Sequence, residues 1–126
     1  MLDIEQLAYS ELAASVAAVS WSAGWPQDFR APPVGCVRQT DNTSRLTTST
    51  ERERLSDIAV QVQLWAASPE SRNAFDEQID AALSAYGLRR STLNHLEDTQ
   101  NDGTVLYRSV FVYSGVYDST LDRIYQ

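Results

Sequence analysis

Lysine is missing altogether, cysteine, histidine and methionine occur once each, and five glycines are spread over 126 residues. Each shortage excludes something. A lone cysteine, Cys36, cannot make an internal disulfide, so nothing implies an oxidising compartment. One His and one Cys are too few of the usual ligands for a structural zinc site, and so few glycines leave no phosphate-cradling loop. No run of about 18 apolar residues occurs, so no membrane-spanning helix is expected. The first residues, MLDIEQLAYSEL, carry acids where a secretory signal carries basic groups, so export by that route is not expected. Basic charge is scarce too: ten Arg face seventeen Asp and Glu, for a formal net charge of −7. Such a chain makes a poor binder of nucleic-acid backbones, whose affinity comes largely from Lys and Arg displacing counterions.

What is present fits one ordinary domain. Hydrophobic residues make up 43% and charged residues 21%, too apolar a balance for intrinsic disorder. All the basic residues are Arg, whose planar fork suits bidentate pairing with carboxylates on a neighbouring subunit, although codon bias in a GC-rich genome gives the same usage.

The spacing predicts an amphipathic helix over residues 3–19. Asp3 stands at the cap with Gln6 at the capping-box position, Leu2 can staple onto Leu7, and Ile4, Leu7, Ala8, Leu12, Val16 and Val19 form one stripe. Trp21 and Trp25 then fall in a proline-rich stretch, and Val34–Thr40 reads as a short strand with Val34 and Cys36 on one side and Val37 on the other. Asp41–Leu55 is polar and ends in alternating Glu51, Arg52, Glu53 and Arg54. It reads as a disordered loop or as a hairpin arm, and the flanking strands favour the arm.

Ile58–Leu64 alternates strictly, with Ile58, Val60, Val62 and Leu64 on one face and Gln61, Gln63 and Trp65 on the other. Ser68, Pro69 and Glu70 open a second helix over 69–86, with Phe75, Ile79, Ala82, Leu83 and Tyr86 as its apolar face and Gly87 as its stop. Leu88–Leu93 can return as a strand, Asn101-Asp102-Gly103 marks a turn, and Thr104–Tyr117 runs as a final strand. That strand is apolar on both sides, Leu106, Val110 and Val112 against Tyr107, Phe111 and Tyr113. Two helices sharing one sheet face would leave the aromatic side for a neighbouring subunit, and this is the expectation.

Catalytic material is thin. His95 has Glu97 and Asp98 near it in sequence, but a single His is a weak metal signal and reads as an edge residue. Asp76 and Asp80 share a helix face, with Arg72 four residues before Asp76, which suggests a solvated, partly paired surface. Cys36 reads as a packed thiol and Arg89-Arg90 as too small a basic patch for nucleic acid. No catalytic residue, metal site or cofactor is assigned. A cytosolic ligand-binding domain, with Trp21, Trp25 and Trp65 lining an apolar pocket, is the alternative outside assembly.

The strand Asp57–Ala66, a capped helix holding Ile79-Asp80-Ala81-Ala82-Leu83, then Tyr86-Gly87-Leu88-Arg89-Arg90 follow one another in a familiar order. With Leu106-Tyr107-Arg108, the aromatic strand Val110–Tyr113 and Val116-Tyr117-Asp118, this order resembles the tail-completion or tail-terminator proteins of long-tailed bacteriophages. The resemblance covers roughly residues 56–118, and other neck adaptor proteins share the same pattern. It implies a non-enzymatic α+β subunit of one domain, a mostly antiparallel sheet with two helices on one face and a projecting loop or hairpin arm at 41–55. It further implies a homo-oligomeric, hexameric ring in the virion, joining the tail tube protein to head connector proteins while DNA passes the lumen unbound. On this reading Arg52, Arg54, Trp65, Tyr107, Phe111 and Tyr113 are the expected subunit contacts, through heterologous patches.

Overall fold

The computed structural model of the chain describes residues 3–23, 26, 32–44, 55–118 and 122–125, with side chains described for all of these except 41–44 and 125. Helix α1 spans Ile4–Ser15, and the carboxylate of Asp3 accepts the backbone N–H of Gln6 at 3.0 Å as its cap. Gln6 does not complete a capping box, because its side-chain amide donates to Ser10 Oγ instead. Leu2 lies outside the described residues. Helix α2 spans Pro69–Ser84, with Ser68 Oγ accepting the N–H of Ser71 and Pro69 at the first position, where its missing N–H costs nothing. Gly87 follows at φ +87, a conformation that favours glycine, and the carbonyl of Ile124 packs where a side chain would project.

Six strands make one sheet: β1 Ser20–Ala23, β2 Val34–Ser44, β3 Leu55–Ala66, β4 Arg89–Thr99, β5 Val105–Asp118 and β6 Arg123–Tyr125. The order is β1-β2-β3-β5-β4, with β6 pairing β5 beyond the end of β4. Among the described strands only the β1–β2 pair is parallel. The chain is thus an α+β domain with a mostly antiparallel sheet.

Register decides what each face carries. Val60 stands opposite Tyr113 and Val62 opposite Phe111, so the aliphatic side of β3 and the aromatic side of β5 share a face. Both helices cover that face: Ile4, Ala8 and Leu12 of α1 and Ile79, Ala82 and Leu83 of α2 join Val37, Ile58, Val60, Val62, Leu64, Phe111 and Tyr113 in the main core. Trp21 packs against the same core, its ring lying over Gly35 where any side chain would collide with it, and its indole N–H donates to the carbonyl of Val16 at 3.0 Å. Burial of this one stripe per element supplies the main driving force for folding.

Here the aromatic-side expectation is overturned. Phe111 and Tyr113 are fully buried under the helices, ring centroids 5.8 Å apart, and cannot present themselves to a neighbour. The side of β5 that the helices leave uncovered is the aliphatic one, Val110, Val112 and Val116, all half-buried. Of the segment 41–55, only 41–44 and Leu55 are described. Residues 41–44 continue β2 and pair with Ser56–Ala59, so the base of the arm is a β2–β3 hairpin within the sheet. Residues 45–54, including Arg52 and Arg54, lie outside the described residues. A bulge between Gln39 and Asp41 bends β2 just before that base, and Glu5 of α1 accepts the N–H of Gln39 at 3.0 Å.

Candidate functional site

Opposite the helices, the sheet presents a face over which no helix lies among the described residues. At its centre Trp65 of β3 stands opposite Arg108 of β5, which in turn stands opposite Leu96 of β4. The Trp65 side chain is buried against Val34, Cys36 and Leu106, a second small core on this side of the sheet. Its indole N–H donates to Asp98 at 2.8 Å, and the Arg108 guanidinium lies 5.3 Å from the ring centroid. Arg108 also faces Asp98 at 3.7 Å and donates to Gln63 Oε1 through Nε at 3.0 Å and through Nη2. A cation held over an indole while bonded to a carboxylate and an amide is fixed in place rather than free to sweep the surface.

This network corrects the part assigned to Trp65. Its side chain is only 1% exposed, so it supports the patch from beneath and offers no contact area of its own. Tyr107, by contrast, is half-buried on the helix side, opposite Glu97. Around the Trp65–Arg108 centre, Val110, Val112 and Val116 form a half-exposed aliphatic strip, and Leu96 is 45% exposed beside it. The strip is continuous with the base of the β2–β3 hairpin through Asp57, which stands opposite Val116.

Trp21 and Trp65 lie on opposite faces of the sheet, and Trp25 lies outside the described residues, so the two described tryptophans line no common pocket. A cleft of about 460 Å³ lies elsewhere, where Leu7, Tyr86, Gly87, Asp122 and Ile124 meet.

A second polar cluster was not legible in the sequence. Asp76 and Asp80 point from α2 toward the β4–β5 edge of the sheet, Asp76 buried there and Asp80 still 41% exposed. Asp76 Oδ2 meets His95 Nε2 at 2.8 Å, while Asp80 accepts the Tyr113 hydroxyl at 3.0 Å and lies 3.9 Å from Arg90. The Asp76 side chain is buried, which overturns its assignment to a solvated surface, and Arg72 donates to Asn73 instead. Ser109 stands directly opposite His95 across the strands, giving serine, histidine and aspartate in one neighbourhood. The trio is not arranged for acyl transfer. Ser109 Oγ is closed to solvent and bonds to nothing, so the imidazole does not activate it and no substrate reaches it. Among the described residues no group of three or more His, Cys, Asp or Glu could hold a metal ion. No described helix is long and apolar enough to cross a membrane.

Two buried groups titrate late. Burial pushes the Cys36 thiol up to about 11, opposed by the smaller pulls of the Gln63 backbone hydrogen bond and of Arg108 and Arg38, as fits a packed thiol. Burial first, then its bond to Asp80, holds the Tyr113 phenol far above its ordinary value near 10. Between about pH 9 and 11 the unfolded chain releases protons that the native state keeps, so stability falls as pH rises through that window. Urea midpoints measured against pH should decline there, with a shallower slope above pH 10 in Tyr113→Phe. An unchanged slope in that variant would remove Tyr113 as a cause.

Against known proteins, no family model matches this chain and no curated protein matches it.

Proposed function

We propose that this chain is a structural assembly subunit, and specifically a ring-forming tail-terminator protein of a long-tailed bacteriophage that joins the tail tube to the head connector. The observation that carries the assembly reading is the uncovered sheet face. Val110, Val112, Val116 and Leu96 make an aliphatic surface around a pre-fixed Trp65–Arg108–Asp98 network, continuous with the base of the hairpin. Surfaces of this kind, with an apolar centre and rigid polar anchors, are what subunit contacts are built from. The phage assignment rests on the order of elements and residue types over residues 56–118. The hexameric ring and the place in the virion come with it. In a ring the patch of one copy meets a different patch of the next, and the hairpin is the part best placed to reach across.

The test is to image particles made without this protein in the phage that encodes it. Tails of irregular length lacking heads are the expected result. Normal tails left unjoined to heads would move the subunit to a neck adaptor position. Complete infectious particles, or a gene with no portal, capsid or tail-tube neighbours, would refute the virion reading.

A further inference from the structure

Strand β4 is one edge of the sheet, eleven residues long, and its side chains are exposed at all but two positions. An edge of that length presents a row of backbone donors and acceptors that another strand can pair. Its charges are ordered along it: Arg89 and Arg90 at one end, Glu97 and Asp98 at the other. Residues seven apart on a regular strand face opposite sides, so Arg90 and Glu97 would ordinarily be separated by the sheet. The register shift between Arg90 and Thr92 changes this. Arg90 stands opposite Tyr113 and Glu97 opposite Tyr107, both on the helix side. Arg89 stands opposite Ser114 and Asp98 opposite Leu106, both on the other side.

We infer that β4 is a self-pairing edge, docking antiparallel on β4 of a second copy about a two-fold axis at Asn94. With Ser91 as the extra residue, that axis sets Leu93 against His95, Thr92 against Leu96, Arg90 against Glu97 and Arg89 against Asp98. Each charged pair then meets on one face, twice by symmetry, and the exposed Leu96 is covered by the partner's strand. Opposite charges placed directly across a pair of strands stabilise it, and like charges oppose it. The bulge is what makes the edge complementary to itself. The contact is isologous and takes only Leu96 from the aliphatic face, leaving Val110, Val112, Val116 and the base of the hairpin free, so it does not rest on the ring reading.

Sedimentation of the purified chain across micromolar concentrations should show a monomer–dimer equilibrium that weakens with salt. Glu97→Arg alone and Arg90→Glu alone each place like charges together at both symmetric positions, and each should weaken dimerisation about tenfold. Mixing the two single variants should restore dimers, because only the mixed pair brings opposite charges together at both positions. The variant carrying both exchanges should dimerise with itself. A wild-type chain that stays monomeric overturns the inference, and the bulge and charges then serve to repel other strands. A dimer indifferent to both exchanges, or single variants that do not recover on mixing, overturns it as well.

Discussion

Phe111→Ala is expected to destabilise the isolated chain by about 3–5 kcal/mol, while Val110→Ala and Val112→Ala, its neighbours on the same strand, cost under about 1 kcal/mol each. The difference follows from the face. Phe111 is fully buried between the helices and the sheet, stacked on Tyr113, so removing its ring loses both transfer free energy and the contacts lining the cavity left behind. Val110 and Val112 are half-exposed on the uncovered side and leave no closed cavity. Urea unfolding with an unchanged slope on denaturant reads the stability term directly. The ordering should reverse in assembly. Val110→Asp and Val112→Asp put charge into the centre of the proposed contact, so they should leave the monomer folded and abolish ring formation. A Phe111→Ala chain as stable as the wild type would show that the helices do not close over the aromatic side.

Local pattern points Phe111 outward to an interface, and its fully buried position shows where such pattern stops. Strand β3 and helix α2 could be read almost residue by residue. Ile58, Val60, Val62 and Leu64 alternate, and Ser68-Pro69-Glu70 opens a helix whose stripe recurs at the helical period; both signals are local. The face on which Phe111 ends up depends on β5 pairing β3 with Val62 opposite Phe111, a contact 49 positions apart by those residue numbers. One step of register would have put the aromatic side with Gln61 and Gln63. Alternation separates the two faces of β5, but which one the helices take is a long-range fact.

The same limit explains the other differences. Strand β4 runs on to Thr99, past the expected end at Leu93, because an exposed edge strand needs little apolar alternation once β5 supplies its ladder. Strand β1 is four residues long and held by parallel pairing with β2, which no local signal announces. Helical spacing did place Asp76 and Asp80 on one face, yet it could not say that the face looks at the sheet. Their partners, His95 and Arg90, arrive from a strand whose course was only half seen. The bulge at Ser91, which reassigns the sides of Arg89 and Arg90, leaves no mark in the sequence at all.

The Asp76–His95 pair carries the second large effect. His95→Ala is expected to cost about 1–3 kcal/mol, although the histidine side chain is 39% exposed and contributes little apolar burial. The loss comes from its partner. Asp76 Oδ2 is held by His95, and Asp76 Oδ1 is already buried without a hydrogen-bond partner, so removing the imidazole leaves a buried carboxylate with neither oxygen satisfied. Asp76→Leu in the His95→Ala background removes that carboxylate and should recover most of the loss, giving a coupling of about 0.5–3 kcal/mol in the double-mutant cycle. Ser109→Ala makes the complementary case. Its hydroxyl is fully buried and unbonded, so deleting it should be neutral or stabilising, because no hydrogen bond is lost and a desolvated polar atom goes. If His95→Ala leaves stability unchanged, Asp76 is reached by solvent and the seam beneath α2 is open. If Ser109→Ala instead costs several kcal/mol, that hydroxyl has a partner in solution and the seam is a working polar network. The expected pattern, one costly change beside one harmless one, makes the Asp76–His95 contact a clamp that fixes α2 on the β4–β5 edge and so keeps Phe111 and Tyr113 covered.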